Sequence, residues 1–197
     1  MVKIKICGIR RTEDVEYVNA ALPDYIGFVF APSKRQVTPE QAAELQRALD
    51  ARITPVGVFV NAPIAEIAAL YQAGVVRLAQ LHGGERDDYI QELKLACGIP
   101  VIQAVRHGRG DKISACADYI LFDAASGGSG TAFDWQTIPE CDRPWFLAGG
   151  IDLSNIGGAL ALKPYAVDCG SGSETDGVKD ETKIRAIVAS VRNEAIR

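Results

Sequence analysis

The sequence is poor in the residues that build metal sites and crosslinks. It holds two histidines, and its five cysteines (Cys7, Cys97, Cys116, Cys141 and Cys169) are odd in number with no CxxC pair. A disulfide framework and a zinc centre are thereby unfavoured, and free thiols point to a reducing compartment. No apolar run approaches the ~18 residues that span a bilayer. No signal-peptide h-region precedes the first strand-like run. Charge is also unconcentrated: the net value is −4, with basic residues scattered among acidic ones. That excludes the footprint of a nucleic-acid partner or a polybasic membrane anchor, though a local site can still bind a small anion. No Ser/Pro-rich linker, charge block or low-complexity segment divides the chain. One domain over residues 1–197 in the cytoplasm is the expectation.

What is present is a chain of ordinary globular balance, 48% hydrophobic and 23% charged, long enough to bury a core without crosslinks. Two periods alternate along it. Short apolar runs rich in Val, Ile and aromatics begin at Val2, Tyr25, Pro55, Arg77, Ile99, Asp118, Pro144 and Tyr165, and read as strands. Between them lie helical stretches. "TPEQAAELQRAL" carries Thr38 as N-cap, Pro39 at the first helical position and Gln41 closing a capping box. Ile64, Ile67, Ala68 and Tyr71 form one stripe, and Ile184, Ile187, Val188 and Val191 another. Asp152 reads as the cap of "DLSNIGGAL". The stretches after the fifth and sixth strands have weaker periodicity and predict short or irregular helices. Eight strands at βαβ spacing predict a closed (β/α)₈ barrel, an α/β fold, ahead of an open doubly wound sheet.

In such a barrel the chemistry sits at the C-terminal ends of the strands. The first strand, "KIKIC", places Ile4 and Ile6 on one face and Lys3, Lys5 and Cys7 on the other. Cys7 at the strand end is either a small buried hydrophobe or a base, and Lys5 beside it would favour a thiolate. Asp123 ends the sixth strand as a cap or a general acid–base group. Asp168 ends the eighth, with a structural or orienting role favoured. His82 ends the fourth in "QLHG", and Arg35 lies after the second in "APSKRQ". Glycine-rich loops follow the sixth strand (Gly128, Ser129, Gly130), the seventh (Gly149, Gly150) and the eighth (Ser171, Gly172). Converging backbone N–H groups there would suit a phosphate. His107 reads as surface, and Trp135 in "FDWQ" as packing against the barrel.

Taken in order, "KICGI", "GFVFAPSKR", "VGVFVN", "QLHG", "FDAASGGSGTAFDW" and "AGGI" resemble the phosphoribosylanthranilate isomerase family of tryptophan biosynthesis. The resemblance covers nearly the whole chain. It implies a (β/α)₈ barrel and an Amadori rearrangement of a phosphorylated small molecule, with no metal or cofactor. It implies Asp123 as the acid that protonates the furanose oxygen and Cys7 as the base that takes the C2 proton. It implies Arg35 on the anthranilate side and the glycine loops as a phosphate cradle. One stretch departs from the family's pattern: after Asp168 this chain reads "DCGSGSE", with Cys169, Gly170 and Ser173 where the family differs. The related barrel isomerase of histidine biosynthesis, which carries an aspartate at the end of strand one, is opposed by Cys7. A barrel that only binds a phosphorylated ligand is opposed by the presence of both Cys7 and Asp123. A monomer and a homodimer are equally compatible with the sequence.

Overall fold

The computed structural model describes residues 1–106, 108, 110–123 and 135–194. Eight strands, β1 (Lys3–Cys7), β2 (Tyr25–Val29), β3 (Thr54–Phe59), β4 (Leu78–Leu81), β5 (Val101–Arg106), β6 (Tyr119–Asp123), β7 (Trp145–Leu147) and β8 (Ala166–Cys169), form a closed barrel in chain order. Every neighbouring pair is parallel, and the seam closes where Lys5 of β1 sits opposite Asp168 of β8. The eight apolar runs therefore do what their spacing predicts.

Among the described residues six helices cover the barrel: α1 (Thr12–Ala21), α2 (Pro39–Ala48), α3 (Ile64–Gln72), α4 (Asp87–Cys97), α5 (Ile156–Ala161) and α6 (Glu181–Glu194). The Thr38–Gln41 capping box forms as expected, with Gln41 N donating to Thr38 Oγ1 at 3.2 Å and Thr38 N to Gln41 Oε1 at 2.9 Å. All four stripe residues of α6 are buried. In α3 the buried positions are Ile67 and Leu70, with Ile64 and Tyr71 only half covered. The α5 helix starts later than its expected cap. Asp152 instead accepts from Ser154 N at 2.8 Å, closing a turn, and the helix begins after Asn155. Between β5 and β6 the described residues contain no helix, and after β6 they contain one 3₁₀ turn (Trp135–Thr137), in line with the weak periodicity there. Trp135 packs against the outer core.

Two apolar layers result. Ile4, Ile6, Ile26 and Phe28 face outward into the strand–helix layer. Val56, Leu78, Ile102, Leu121, Phe146 and Ala166 fill the barrel interior. The inward face of β1 carries Lys3, Lys5 and Cys7, and the three residues end in different places. Lys3 belongs to the floor: its Nζ donates to Tyr165 Oη at 2.8 Å and sits 4.7 Å from that ring's centroid. Tyr25 and Tyr165 join hydroxyls at 2.9 Å beside it. Only Lys5 and Cys7 reach the upper rim, where β1 ends.

Candidate active site

Lys5 is fully buried, which is tolerable only with a partner of opposite charge. Its Nζ donates to Asp168 Oδ2 at 2.7 Å across the seam. Burial opposes the charge on Lys5, yet the adjoining carboxylate wins and holds its pKa above the ordinary value. The second oxygen, Asp168 Oδ1, is buried with no hydrogen-bond partner among the described residues. Asp168 thus both orients its neighbour and keeps an acceptor in reserve.

Cys7 lies one layer above. A Cβ added at Gly27 would stand 2.7 Å from Cys7 Sγ and 3.3 Å from Lys5 Nζ, so Gly27 makes the space in which thiol and ammonium meet. The expectation that Lys5 favours a thiolate is met only in sign. Burial pushes the Cys7 thiol above its usual value, and the pull of Lys5 does not overcome it. The Asp168 carboxylate, which shares Lys5, adds to the upward push of burial.

Asp123, at the end of β6, is 4% exposed. His82 Nε2 stands 3.2 Å from Asp123 Oδ2, and Gln80 Nε2 lies 3.1 Å from His82 Nδ1. In the tautomer that carries its proton on Nε2, the ring accepts from the Gln80 amide and donates to Asp123. His82 is therefore an orienting partner of that carboxylate.

Arg35 rises from the loop after β2 and lies against Gly8, whose φ is +92°. A Cβ there would come within 2.4 Å of Arg35 Cδ. Arg35 Nε and Nη2 donate to Glu174 Oε1 and Oε2 at 2.6 and 2.9 Å, a bidentate pair. Glu174 is 8% exposed. Neither it nor its second partner Lys179 stood out in the sequence. They belong to a hairpin, β9 (Glu174–Thr175) and β10 (Val178–Lys179), turned at Asp176 and Gly177 with φ of 51° and 77°. The Asp-Gly dipeptide is the available signal for such a turn.

Burial raises the Glu174 pKa, but the hydrogen bonds from Arg35 and the charge of Lys179 outweigh it and bring it to about 2, against 4.5 unperturbed. Since the folded value lies below the unfolded one, this network adds stability above about pH 4.5 and loses it as the pH falls toward 2. Urea unfolding at pH 7 and pH 3 is expected to show that loss, and Glu174→Gln to flatten it. An acid limb of equal slope in both proteins would remove Glu174 as its source.

Gly149 and Gly150 follow β7 with φ of 91° and 66°. Ser171 and Gly172 lie in the single 3₁₀ turn Ser171–Ser173 after β8. Gly150, Ser171, Gly172 and Lys183 share a cleft of about 380 Å³, so the loops after β7 and β8 converge. Gly128, Ser129 and Gly130 lie outside the described residues, as does His107. The departures in "DCGSGSE" have local partners. Cys169 is buried, donates to the Ile151 carbonyl at 3.1 Å, and has its thiol pushed up to about 12 by burial. Ser173 is buried and donates to the Gly170 carbonyl at 2.7 Å. A separate cleft of about 640 Å³, lined by Glu85, Gln103 and Lys112 but not by Cys7 or Asp123, opens between the loops after β4 and β5.

Cys7, Asp123, the clamped Arg35 guanidinium and the glycine-lined cleft thus lie at the strand ends of one rim. Comparison with known proteins bears on what that rim acts upon. The family model described as N-(5′-phosphoribosyl)anthranilate (PRA) isomerase matches residues 4–190. A relative from Endomicrobium trichonymphae, an N-(5′-phosphoribosyl)anthranilate isomerase, is 48% identical over 98% of this chain and 100% of its own. The crystal structure of the Thermus thermophilus phosphoribosyl anthranilate isomerase is 35% identical, with a TM-score of 0.85 and full coverage of both chains. A phosphoribosyl anthranilate isomerase solved with reduced 1-(o-carboxyphenylamino)-1-deoxyribulose 5-phosphate is 31% identical, with a TM-score of 0.82 over 98% of this chain and 100% of that chain. On sequence, fold and rim together, the chain belongs to the N-(5′-phosphoribosyl)anthranilate isomerase family.

Proposed function

We propose that this rim isomerises N-(5′-phosphoribosyl)anthranilate to 1-(2-carboxyphenylamino)-1-deoxyribulose 5-phosphate with Asp123 as general acid and Cys7 as general base. The carrying observation is their placement: β7 and β8, which bear the glycine-lined cleft, lie between β6 and β1 in the closed barrel. A phosphate held in that cleft leaves the sugar between an acid on one side and a base on the other.

Protonation of the furanose oxygen by Asp123 breaks the C1–O bond, and the nitrogen lone pair forms the iminium. The iminium withdraws electrons from C2 and acidifies its proton. That makes a partly buried thiol with a raised pKa adequate as the base once the cation is present. Proton removal by Cys7 gives the enolamine, which tautomerises to the ketone with a proton returned to C1. Atoms balance within the substrate, and the two groups only move protons. Asp168 Oδ1 accepts from a sugar hydroxyl in this reading. Arg35, clamped through Nε and Nη2, presents Nη1 to the anthranilate carboxylate.

The cradle is sensitive to one methyl. A Cβ on Gly172 would lie 2.0 Å from the Ile151 carbonyl oxygen and 2.8 Å from Asp152 Cβ, so Gly172→Ala must push the two loops apart. A displacement near 1 Å at a positioning element costs up to about 10²-fold. The expected result is KM for the phosphorylated substrate raised at least about tenfold, with kcat much less changed. An unchanged KM would place the phosphate elsewhere.

The reaction itself is read by generating the substrate in solution and following loss of its anthranilate fluorescence on addition of the protein. No loss with folded protein would overturn the assignment.

A further inference from the structure

The ammonium of Lys179 touches both ends of the rim. Lys179 is 5% exposed. Its Nζ donates to the Gly170 carbonyl at 2.7 Å, to Ser173 Oγ at 2.9 Å and to Glu174 Oε1 at 3.1 Å. Three protons meet three acceptors, which is the full capacity of an ammonium. Two of the acceptors bracket the Ser171–Ser173 turn that lines the cleft with Gly150 and Lys183. The third is the carboxylate that clamps Arg35. The hairpin is tied at its other strand too, where Lys183 Nζ donates to the Glu174 carbonyl at 2.7 Å.

We propose that Lys179 is a positioning residue that couples the phosphate turn to the Arg35 clamp, so that one buried cation sets the spacing of the two subsites that grip opposite ends of the substrate. The proposal rests on the reading of those subsites given above. Lys179 reaches the substrate through other groups: through Gly170 and Ser173 toward the phosphate, and through Glu174 and Arg35 toward the anthranilate carboxylate. Burial costs the ammonium part of its preference for charge, and its pKa is held below the ordinary lysine value. The Glu174 carboxylate and two neutral acceptors keep it in place. A lysine that merely filled space would not need all three.

The coupling separates from a packing role because the two subsites can be probed one at a time. Inorganic phosphate reports on the turn, and 2-aminobenzoate reports on the Arg35 end. Binding of each would be followed by protein-observed NMR titration of wild type, Lys179→Met and Glu174→Gln. Loss of a charge-assisted hydrogen bond weakens a contact by about tenfold or more. Lys179→Met is expected to weaken both probes by about tenfold and, in turnover, to raise KM by more than it lowers kcat. Glu174→Gln, which keeps the shape and removes the charge, is expected to weaken 2-aminobenzoate most and, by loosening Lys179, to weaken inorganic phosphate as well. Lowered thermal stability with both affinities intact would make Lys179 purely structural and overturn the proposal. So would an effect of Lys179→Met on a single probe. If Lys179→Met does not fold, Glu174→Gln still decides: an effect on 2-aminobenzoate alone, or on neither probe, overturns the coupling. A wild-type protein that binds neither probe would refute the subsite reading itself.

Discussion

Asp123→Asn is expected to lower kcat by about 10²- to 10⁴-fold, the range that a positioned general acid supplies. The amide keeps the size of the carboxyl and can still accept from His82 Nε2, which stands 3.2 Å from the carboxylate in the wild type. Pocket shape and substrate affinity should therefore survive, and only the transferable proton is lost. Cys7→Ser should fall in the same range for the opposite reason: a hydroxyl is a far weaker acid than a thiol, so its conjugate base is scarcely formed. Initial rates of fluorescence loss give both numbers, and equilibrium binding of a reduced product analogue checks that the pocket is intact. Activity within about tenfold of wild type for Asp123→Asn would move the acid to another group, with His82 the first to test.

Lys5→Met should be the most destabilising single change at the rim. Methionine matches the length of the lysine stem but leaves the Asp168 carboxylate, 6% exposed, without the ammonium that lies 2.7 Å from it. Breaking a buried pair from one side costs about 3–5 kcal/mol, whereas replacing both partners by apolar groups is far milder. Urea unfolding of Lys5→Met and of Lys5→Met with Asp168→Leu measures the two cases, and the double variant is expected to recover most of the loss. A loss under ~1 kcal/mol in the single variant would mean that Asp168 is solvated. The single variant has a chemical signature as well. Lys5 is the main pull that lowers the Cys7 pKa against burial, so its removal raises that pKa further. Alkylation of Cys7 by iodoacetamide at a fixed neutral pH should slow accordingly.

The barrel was legible because its strands are buried on both faces. Parallel strands of that kind read as short apolar runs, and runs such as YIGFVF and DYILFD look like little else. The rim was legible where a polar residue interrupts or ends such a run, as at Cys7, Asp123 and Asp168. What escaped has other causes. Helix α1 has no Ser or Thr cap. Its start is fixed by the buried Asp14, whose Oδ2 accepts from the backbone of Arg10 and Arg11 at 3.0 and 3.1 Å, and whose Oδ1 takes Arg11 Nε at 2.9 Å. That arrangement depends on an arginine folding back, which no spacing rule announces. Glu174 and Lys179 escaped because the hairpin strands are two residues each, too short for alternation to show. The height of Lys3 was not legible for a third reason. Alternation gives the face of a strand but not the height along the barrel axis, and Lys3 is at the floor with the tyrosines.

The seam between β1 and β8 also sets an order of events. Lys5 precedes its counter-ion Asp168 by 163 positions in the chain. Until β8 pairs with β1 the lysine has no carboxylate to balance it in an apolar interior, so the first strand gains little by burying early. Closing so long a loop is entropically costly and is repaid only by contacts that form at the same moment. The ion pair, the setting of the Cys7 thiol and the sealing of the barrel are therefore expected to form together. A chain whose β8 has not yet paired with β1 is then expected to show no turnover even where its hydrophobic layers have formed.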